Sequence, residues 1–449
     1  MDRPRLLACP FAHPPSRWRA RLRARARSRS FQTSTAQPTL RGCVLPAGAP
    51  GSWDAAGAAK PFVKRFASEA GERWKMWYAG ADDAAARAAE DPVWEELSKG
   101  LRGGTVGVAV SRNGLVWERG SSAENVNPVL GTDGPREVVG RVLARNEGEW
   151  WAFDCAHVLP GCVEVFADER VDSGSGNFWM YYSGADFEKR PAVAARSLSA
   201  ASQALDEMGG AEGAADERGL RSRVGLAISQ DGGMSWARIE GAHHTKAAFC
   251  PTERPEGAWD ADSNAAPSVV FHSKGDVRMY YHAFDRDVPG GGAFAIGMAR
   301  SQDGMSWARD APGCGRKLGA GEAGAFDTRG AAYPHVVPNP AADDGSYLMF
   351  YEARDEGHAA SIGVAWSPDG LNWRPASAPV LKGAGGDAWD ADGVGMPCFV
   401  HVPGGTSRLY YTGWAADGIP SIGAADVVGI GQEGQLELVR VDAAALTKL

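Results

Sequence analysis

The chain lacks any apolar run suited to crossing a membrane. No window of its 449 residues reaches the roughly 18 apolar residues that a spanning helix needs. It also lacks excess positive charge. With 47 Lys and Arg against 55 Asp and Glu, its formal net charge is −8, which argues against a nucleic-acid groove. Cysteine is sparse and unpatterned: Cys9, Cys43, Cys155, Cys162, Cys250, Cys314 and Cys398 form no CxxC pair and no zinc spacing. No metal site is therefore expected, and the thiols read as small buried residues in a reducing interior. No phosphate loop, dinucleotide fingerprint, HExxH or nucleophile elbow occurs in a usable context, so no cofactor is expected. What is abundant is Gly (58), Pro (27) and Trp (16), a composition of many tight turns.

Those residues recur in order. An aromatic–Asp pair stands at Trp53-Asp54, Phe153-Asp154, Trp259-Asp260, Phe326-Asp327 and Trp389-Asp390. A proline follows each pair: Pro61, Pro160, Pro267, Pro334 and Pro397. Next comes an aromatic segment (WKMWYAG, FWMYYSG, VRMYYHA, YLMFYEA, RLYYTGW), then one of small residues (VGVAVS, VGLAIS, IGMARS, IGVAWS, IGAADV). The first four copies close on a turn and a Trp, as in SQDGGMSW. Each copy reads as about four short strands. Self-similarity of this kind predicts an all-β chain, a five-bladed β-propeller of four-stranded antiparallel blades. One such domain over residues 45–449 accommodates the length.

Strand direction sorts the acids. If the first strand of each blade lines the axis, the aromatic–Asp loops share one face with the loops after the aromatic strands. The SxDG turns fall on the other. Asp231, Asp303 and Asp369 then read as turn-forming residues, and Trp117, Trp236, Trp307 and Trp373 as packing residues. The opposite face gathers Asp54, Asp154, Asp260, Asp327, Arg329 and Asp390 from the inner loops, and Glu352 and Arg354 from the next ones. Five copies of one Asp suggest a repeated structural role. As a set, the ring is expected to approach the axis and face a polar ligand. Trp94, Trp150, Trp151, Tyr333 and Trp414 are candidates for stacking on a sugar.

The order W-D-x-x-G-x-x-x-P-x-V, M-x-Y-x-G, I-G-x-A-x-S-x-D-G-x-x-W resembles the five-bladed glycoside hydrolase superfamily of arabinanases, levansucrases and invertases, nearest its family 43-like branch. The resemblance covers about residues 50–430. It implies three carboxylates around an axial funnel: a base or nucleophile, a tuning Asp and a Glu acid. Such a set is needed because a glycosidic oxygen leaves when protonated, while a second carboxylate handles water or the sugar carbon. Carried onto this chain, Asp54 matches the first-blade position, and Asp154 or Asp260 the second. The family's Glu precedes a first-strand proline by two residues, where this chain has Ala59, Val158, Ala265, Ala332 and Gly395. Glu352 is the substitute, with Glu164 next. The expected catalytic set is thus Asp54, Asp260 and Glu352, with Asp154, Asp327, Arg329, Asp390 and Arg354 binding substrate. The expected partner is a carbohydrate; nucleic acid and membrane are not expected, and a monomer is. A non-catalytic carbohydrate-binding propeller and a protein-interaction propeller are the alternatives.

Residues 1–35 are rich in Arg and Ser, with Asp2 their one acid. That composition reads as an organelle transit peptide, plastid before mitochondrion, or as a disordered tail. Helix-like, Ala-rich insertions are expected at about 82–104 and 186–222, either as lids over the funnel or as plain surface loops.

Overall fold

The computed structural model describes residues 41–68, 71–81, 104–119, 140–146, 148–166, 176–186, 221–252, 258–285, 288–289, 292–309, 314–357, 359–430 and 436–442. The proposed transit segment lies outside them, as do 82–103 and 187–220, the bulk of both insertions. Of the inserted ranges, Gly104, Asp186 and Arg221–Ser222 are described; Gly104 lies just before a strand, and the others belong to strands.

Among the described residues there is no helix, and the strands form five successive antiparallel meanders. A short strand, β1 (Cys43–Leu45), comes first. Blade one is β2 (Gly57–Ser68), β3 (Gly71–Ala81) and β4 (Thr105–Ser111), edged by β5 (Glu118–Arg119) and β6 (Arg141–Leu143). Blade two is β7 (His157–Phe166), β8 (Asn177–Asp186), β9 (Arg221–Ser229) and β10 (Ala237–Ile239). Blade three is β11 (Ala265–Ser273), β12 (Asp276–Asp285), β13 (Ala293–Ser301) and β14 (Gly315–Leu318). Blade four is β15 (Ala331–Pro338), β16 (Tyr347–Arg354) and β17 (Ala360–Ser367), edged by β18 (Arg374–Pro375) and β19 (Leu381–Lys382). Blade five is β20 (Gly393–Val400), β21 (Arg408–Trp414), β22 (Pro420–Val428) and β23 (Glu437–Arg440).

The first strands touch in cyclic order: β2 with β7, β7 with β11, β11 with β15, β15 with β20, and β20 with β2. The ring is closed by the chain's two ends. Strand β22 takes β1 against Ile422 and Gly423 and β23 against Ala425–Val428, so the last blade's outer edge comes partly from each end. The Trp389 indole N–H, bonded to the Arg41 carbonyl at 2.9 Å, carries the compact unit to the N-terminal side of residue 45.

Packing follows from the repeat. The blade-end aromatic lies flat over its own sheet because the third strand has glycine beneath it. A Cβ at Gly107 would come within 2.0 Å of the Trp53 ring, and one at Gly423 within 2.6 Å of Trp389. The SxDG turns are Asx-type turns. The Asp303 carboxylate accepts from the N–H groups of Met305 and Ser306, and Asp369 from those of Leu371 and Asn372. Asn113 does the same work in blade one. The half-buried Trp after each turn meets the neighbouring blade edge-on: Trp117 with Tyr410, Trp236 with Trp77, Trp307 with Tyr181, Trp373 with Tyr280.

A second inter-blade tie explains an irregularity. Trp77, Tyr181, Tyr280 and Tyr410 donate to the turn carbonyls of Gly233, Gly304, Gly370 and Gly114 on adjacent blades. Blade four has Phe350 at this position and cannot donate; the blade beside it, the fifth, carries no SxDG sequence.

Candidate functional site

Register puts the two Asp sets at opposite ends of the blades. The SxDG turn follows a third strand whose last residue faces the start of the second, as Ser301 faces Val277. The aromatic–Asp pair precedes a first strand whose start faces the end of the second, as Ala265 faces His282.

The ring carboxylates do not face the axis, contrary to the expectation from strand direction. Each is turned into its own blade and is at most 4 % exposed. Each accepts from the tyrosine of its second strand: Asp54 from Tyr78 at 2.9 Å, Asp154 from Tyr182 at 2.8 Å, Asp260 from Tyr281 at 2.9 Å, Asp327 from Tyr351 at 3.3 Å, Asp390 from Tyr411 at 3.2 Å. In four blades an arginine from the outer edge completes a clamp. Arg238 Nε reaches Asp154 at 2.6 Å, Arg440 Nε reaches Asp390 at 2.8 Å, and Arg309 and Arg119 lie 3.2 and 3.4 Å from Asp260 and Asp54. An arginine on the outermost strand cannot reach a group on the axis, so these acids sit over the blade ends.

Blade four breaks the pattern for a visible reason. Arg119, Arg238 and Arg440 stand opposite Ala109, Ala227 and Ala425, and the matching residue opposite Ala365 is Pro375. Among the described residues no arginine pairs with Asp327, and burial raises its carboxyl above the usual range. The sequence signal for the clamp is W-x-R, present at Arg119, Arg238 and Arg309 and missed in the sequence reading above.

What does reach the axis is a second ring, also missed. An apolar cluster draws Ala59 and Ala79 from blade one, Leu159 from blade two, Ala266, Phe284 and Phe294 from blade three, Ala332 and Tyr333 from blade four, and Met396 and Trp414 from blade five. Members from all five blades can meet only at the axis. In four blades the residue just before the proline has positive φ: Lys60 (49), Ala266 (50), Tyr333 (48) and Met396 (50). Pre-proline residues favour extended backbone, so each conformation costs about 1–3 kcal/mol.

Each strained residue is held from the preceding blade. The polar side chain one residue past the clamp tyrosine accepts its backbone N–H. Ser183 Oγ takes Ala266 at 2.8 Å, His282 Nδ1 takes Tyr333 at 3.0 Å, Glu352 Oε2 takes Met396 at 3.2 Å, and Thr412 Oγ1 takes Lys60 at 2.8 Å. Blade one has Ala79 here. The blade it faces has Leu159, which is not strained, ahead of Pro160, which has no N–H.

Glu352 is thus the one acid of the expected set built into the axial wall. It is 1 % exposed; Oε1 accepts Nε and Nη2 of Arg354 at 2.9 and 2.6 Å, while Oε2 holds Met396. Arg329 meets Arg354 through backbone, its N–H on the Arg354 carbonyl at 2.8 Å. The structure does not gather Asp54, Asp260 and Glu352 into one constellation. Glu164 sits farther along its first strand, opposite Trp179, and pairs with Lys64 at 3.4 Å. Of the stacking candidates, Tyr333 is buried, Trp414 half-buried, and Trp150 and Trp151 exposed; Trp94 lies outside the described residues.

Electrostatically the axis is a place of buried, mostly neutral groups. Burial lowers the imidazoles of His282 and His335 to about 3 each and raises the Cys398 thiol to about 11. It also pushes the Lys60 ammonium down.

The sequence matches no family model and no curated protein. Solved structures do resemble it. A glycoside hydrolase aligns with TM-score 0.53 and 17 % identity over 95 % of this chain and 99 % of the other. A thermostable family-43 glycoside hydrolase gives 0.52 and 14 %, over 86 % and 94 %. A glycosyl hydrolase from Bacteroides ovatus gives 0.50 and 11 %, over 90 % and 96 %. At these identities the likeness establishes the fold.

Proposed function

We propose that the chain is a glycoside hydrolase acting on a carbohydrate at the propeller axis. The observation that carries this is the likeness of fold, over nearly its whole length, to solved glycoside hydrolases. A buried carboxylate in the axial wall, Glu352, supports it. Within the proposal, Glu352 meets the sugar once its bond to Met396 opens. The partner carboxylate that glycoside cleavage requires is assigned to Asp392, an exposed acid whose N–H bonds the Trp414 carbonyl at 2.9 Å. Asp54 and Asp260, expected to be catalytic from the sequence, act on the fold instead, and Asp154, Asp327 and Asp390 do likewise.

The test is a panel of aryl glycosides and oligosaccharides, followed by released aglycone or reducing ends, with calorimetry alongside. Turnover supports the proposal. Binding without turnover converts it to the carbohydrate-binding alternative, which the full engagement of Glu352 would also suit. The proposal further holds that the chain acts as a monomer and that residues 1–35 direct it to an organelle, plastid before mitochondrion. A reporter fused to 1–35 that stays in the cytosol would contradict the last point.

A further inference from the structure

Lys60 is the axial residue whose chemistry the preceding reading leaves unused. Its backbone is strained ahead of Pro61 and is fixed there by Thr412. Its side chain belongs to a residue only 2 % exposed. Among the described residues its ammonium has no hydrogen bond and no ion pair. The acid that acts on it electrostatically is Glu352, whose oxygens already serve Arg354 and Met396. The next cation along the wall, Lys64, has its own partner in Glu164. Lys64 is matched by Glu164 and Arg354 by Glu352, which leaves Lys60, when protonated, without an acid of its own among the described residues. The remaining groups that act on Lys60 or feel it cannot cancel that charge. His282 and His335 are neutral, and the Cys162 and Cys398 thiols are held protonated by burial.

A buried cation without a counter-ion is unfavourable unless something supplies the anion. The corresponding pre-proline residues of three other blades, Ala266, Tyr333 and Met396, belong to one buried, largely apolar cluster, and such low polarity strengthens any ion pair that forms beside it. A compact ammonium suits a carboxylate or phosphoryl oxygen.

We propose that Lys60 anchors an oxyanion carried by the ligand, so that the substrate class is acidic sugars: a uronate, or a sugar phosphate. This rests on the reading of the axis as the carbohydrate site.

The experiment is calorimetry on the full chain with D-glucuronate, D-glucose 6-phosphate, D-glucose and inorganic phosphate. At least one acidic sugar should bind tenfold or more tightly than glucose, and which one identifies the oxyanion. Lys60→Met should abolish that preference and Lys60→Arg should retain part of it. Because Lys60→Met could fail to fold, wild-type crystals soaked with the preferred sugar provide the second measurement. Its oxyanion should lie roughly 3 Å from Lys60 Nζ. Glucose binding as well as the acidic sugars overturns the inference and leaves the axial carbohydrate site standing. If neither neutral nor acidic sugars bind, both fall. Inorganic phosphate binding as tightly as glucose 6-phosphate, or an oxyanion found away from Lys60, overturns the inference alone.

Discussion

The Tyr351 hydroxyl reaches Asp327 Oδ2 at 3.3 Å, the longest of the five tyrosine–aspartate bonds, and it does so in the blade that has Pro375 where three others carry an arginine. Asp327 is therefore a clamp with a missing part. Supplying the part should stabilise the protein. Pro375→Arg is expected to raise stability by about 1 kcal/mol, within the range of charge-assisted hydrogen bonds after the loss of proline's rigidity. Urea denaturation would measure it; an unchanged midpoint would mean that the clamp arginines contribute nothing net.

The complete clamps should respond in the opposite way. Asp154→Asn leaves Arg238 without its ion pair and is expected to cost about 2–4 kcal/mol. Asp327→Asn removes a carboxyl that burial already disfavours and should cost much less. Comparing the two melting temperatures decides the matter. Equal losses would contradict the asymmetry.

Latch residues make a paired prediction. Ser183→Ala strands the Ala266 N–H, a buried donor with no other partner among the described residues, at a cost of about 1–3 kcal/mol. Ala79→Ser should yield no comparable gain, because Pro160 in the blade it faces offers no N–H. Both are read from denaturation midpoints.

Acid should weaken the fold through histidine. His157 is lowered to about 4, and His282 and His335 to about 3 each, all by burial. Below about pH 6.5 the unfolded chain takes up protons that the native state refuses. Stability is then complete above that pH and falls as pH drops towards 3. Asp327 has the opposite sign: its raised carboxyl contributes in acid and loses that contribution as pH rises through it. A urea midpoint clearly lower at pH 5 than at pH 7.5 is expected, and His282→Gln, which keeps an acceptor for Tyr333, should narrow the gap.

The repeat made the architecture readable in the sequence, and the SxDG turns were readable with it, because an Asx turn is made by neighbours in the chain. The destination of the ring aspartates was not. Asp154 meets Arg238 across 84 residues, and only the pairing of the outer strand brings them together. The five-fold repetition hinted at a structural role, and the W-x-R spacing would have named the partner. The axial ring was hidden for a different reason. A residue before proline ordinarily reads as extended, so nothing local marks Lys60, Tyr333 or Met396 as strained and turned towards the axis. Their holding groups, Thr412, His282 and Glu352, lie on other blades.

The most direct test of the account is turnover by Glu352→Gln beside Asp54→Asn, on whichever glycoside the wild-type chain cleaves. If the axial wall carries the chemistry and the ring aspartates carry the fold, Glu352→Gln should lower kcat by about 10²-fold or more, as loss of a proton-transferring group does. Asp54→Asn should lower the melting temperature while the folded protein keeps its kcat. Full activity in Glu352→Gln together with an inactive, fully stable Asp54→Asn would contradict it.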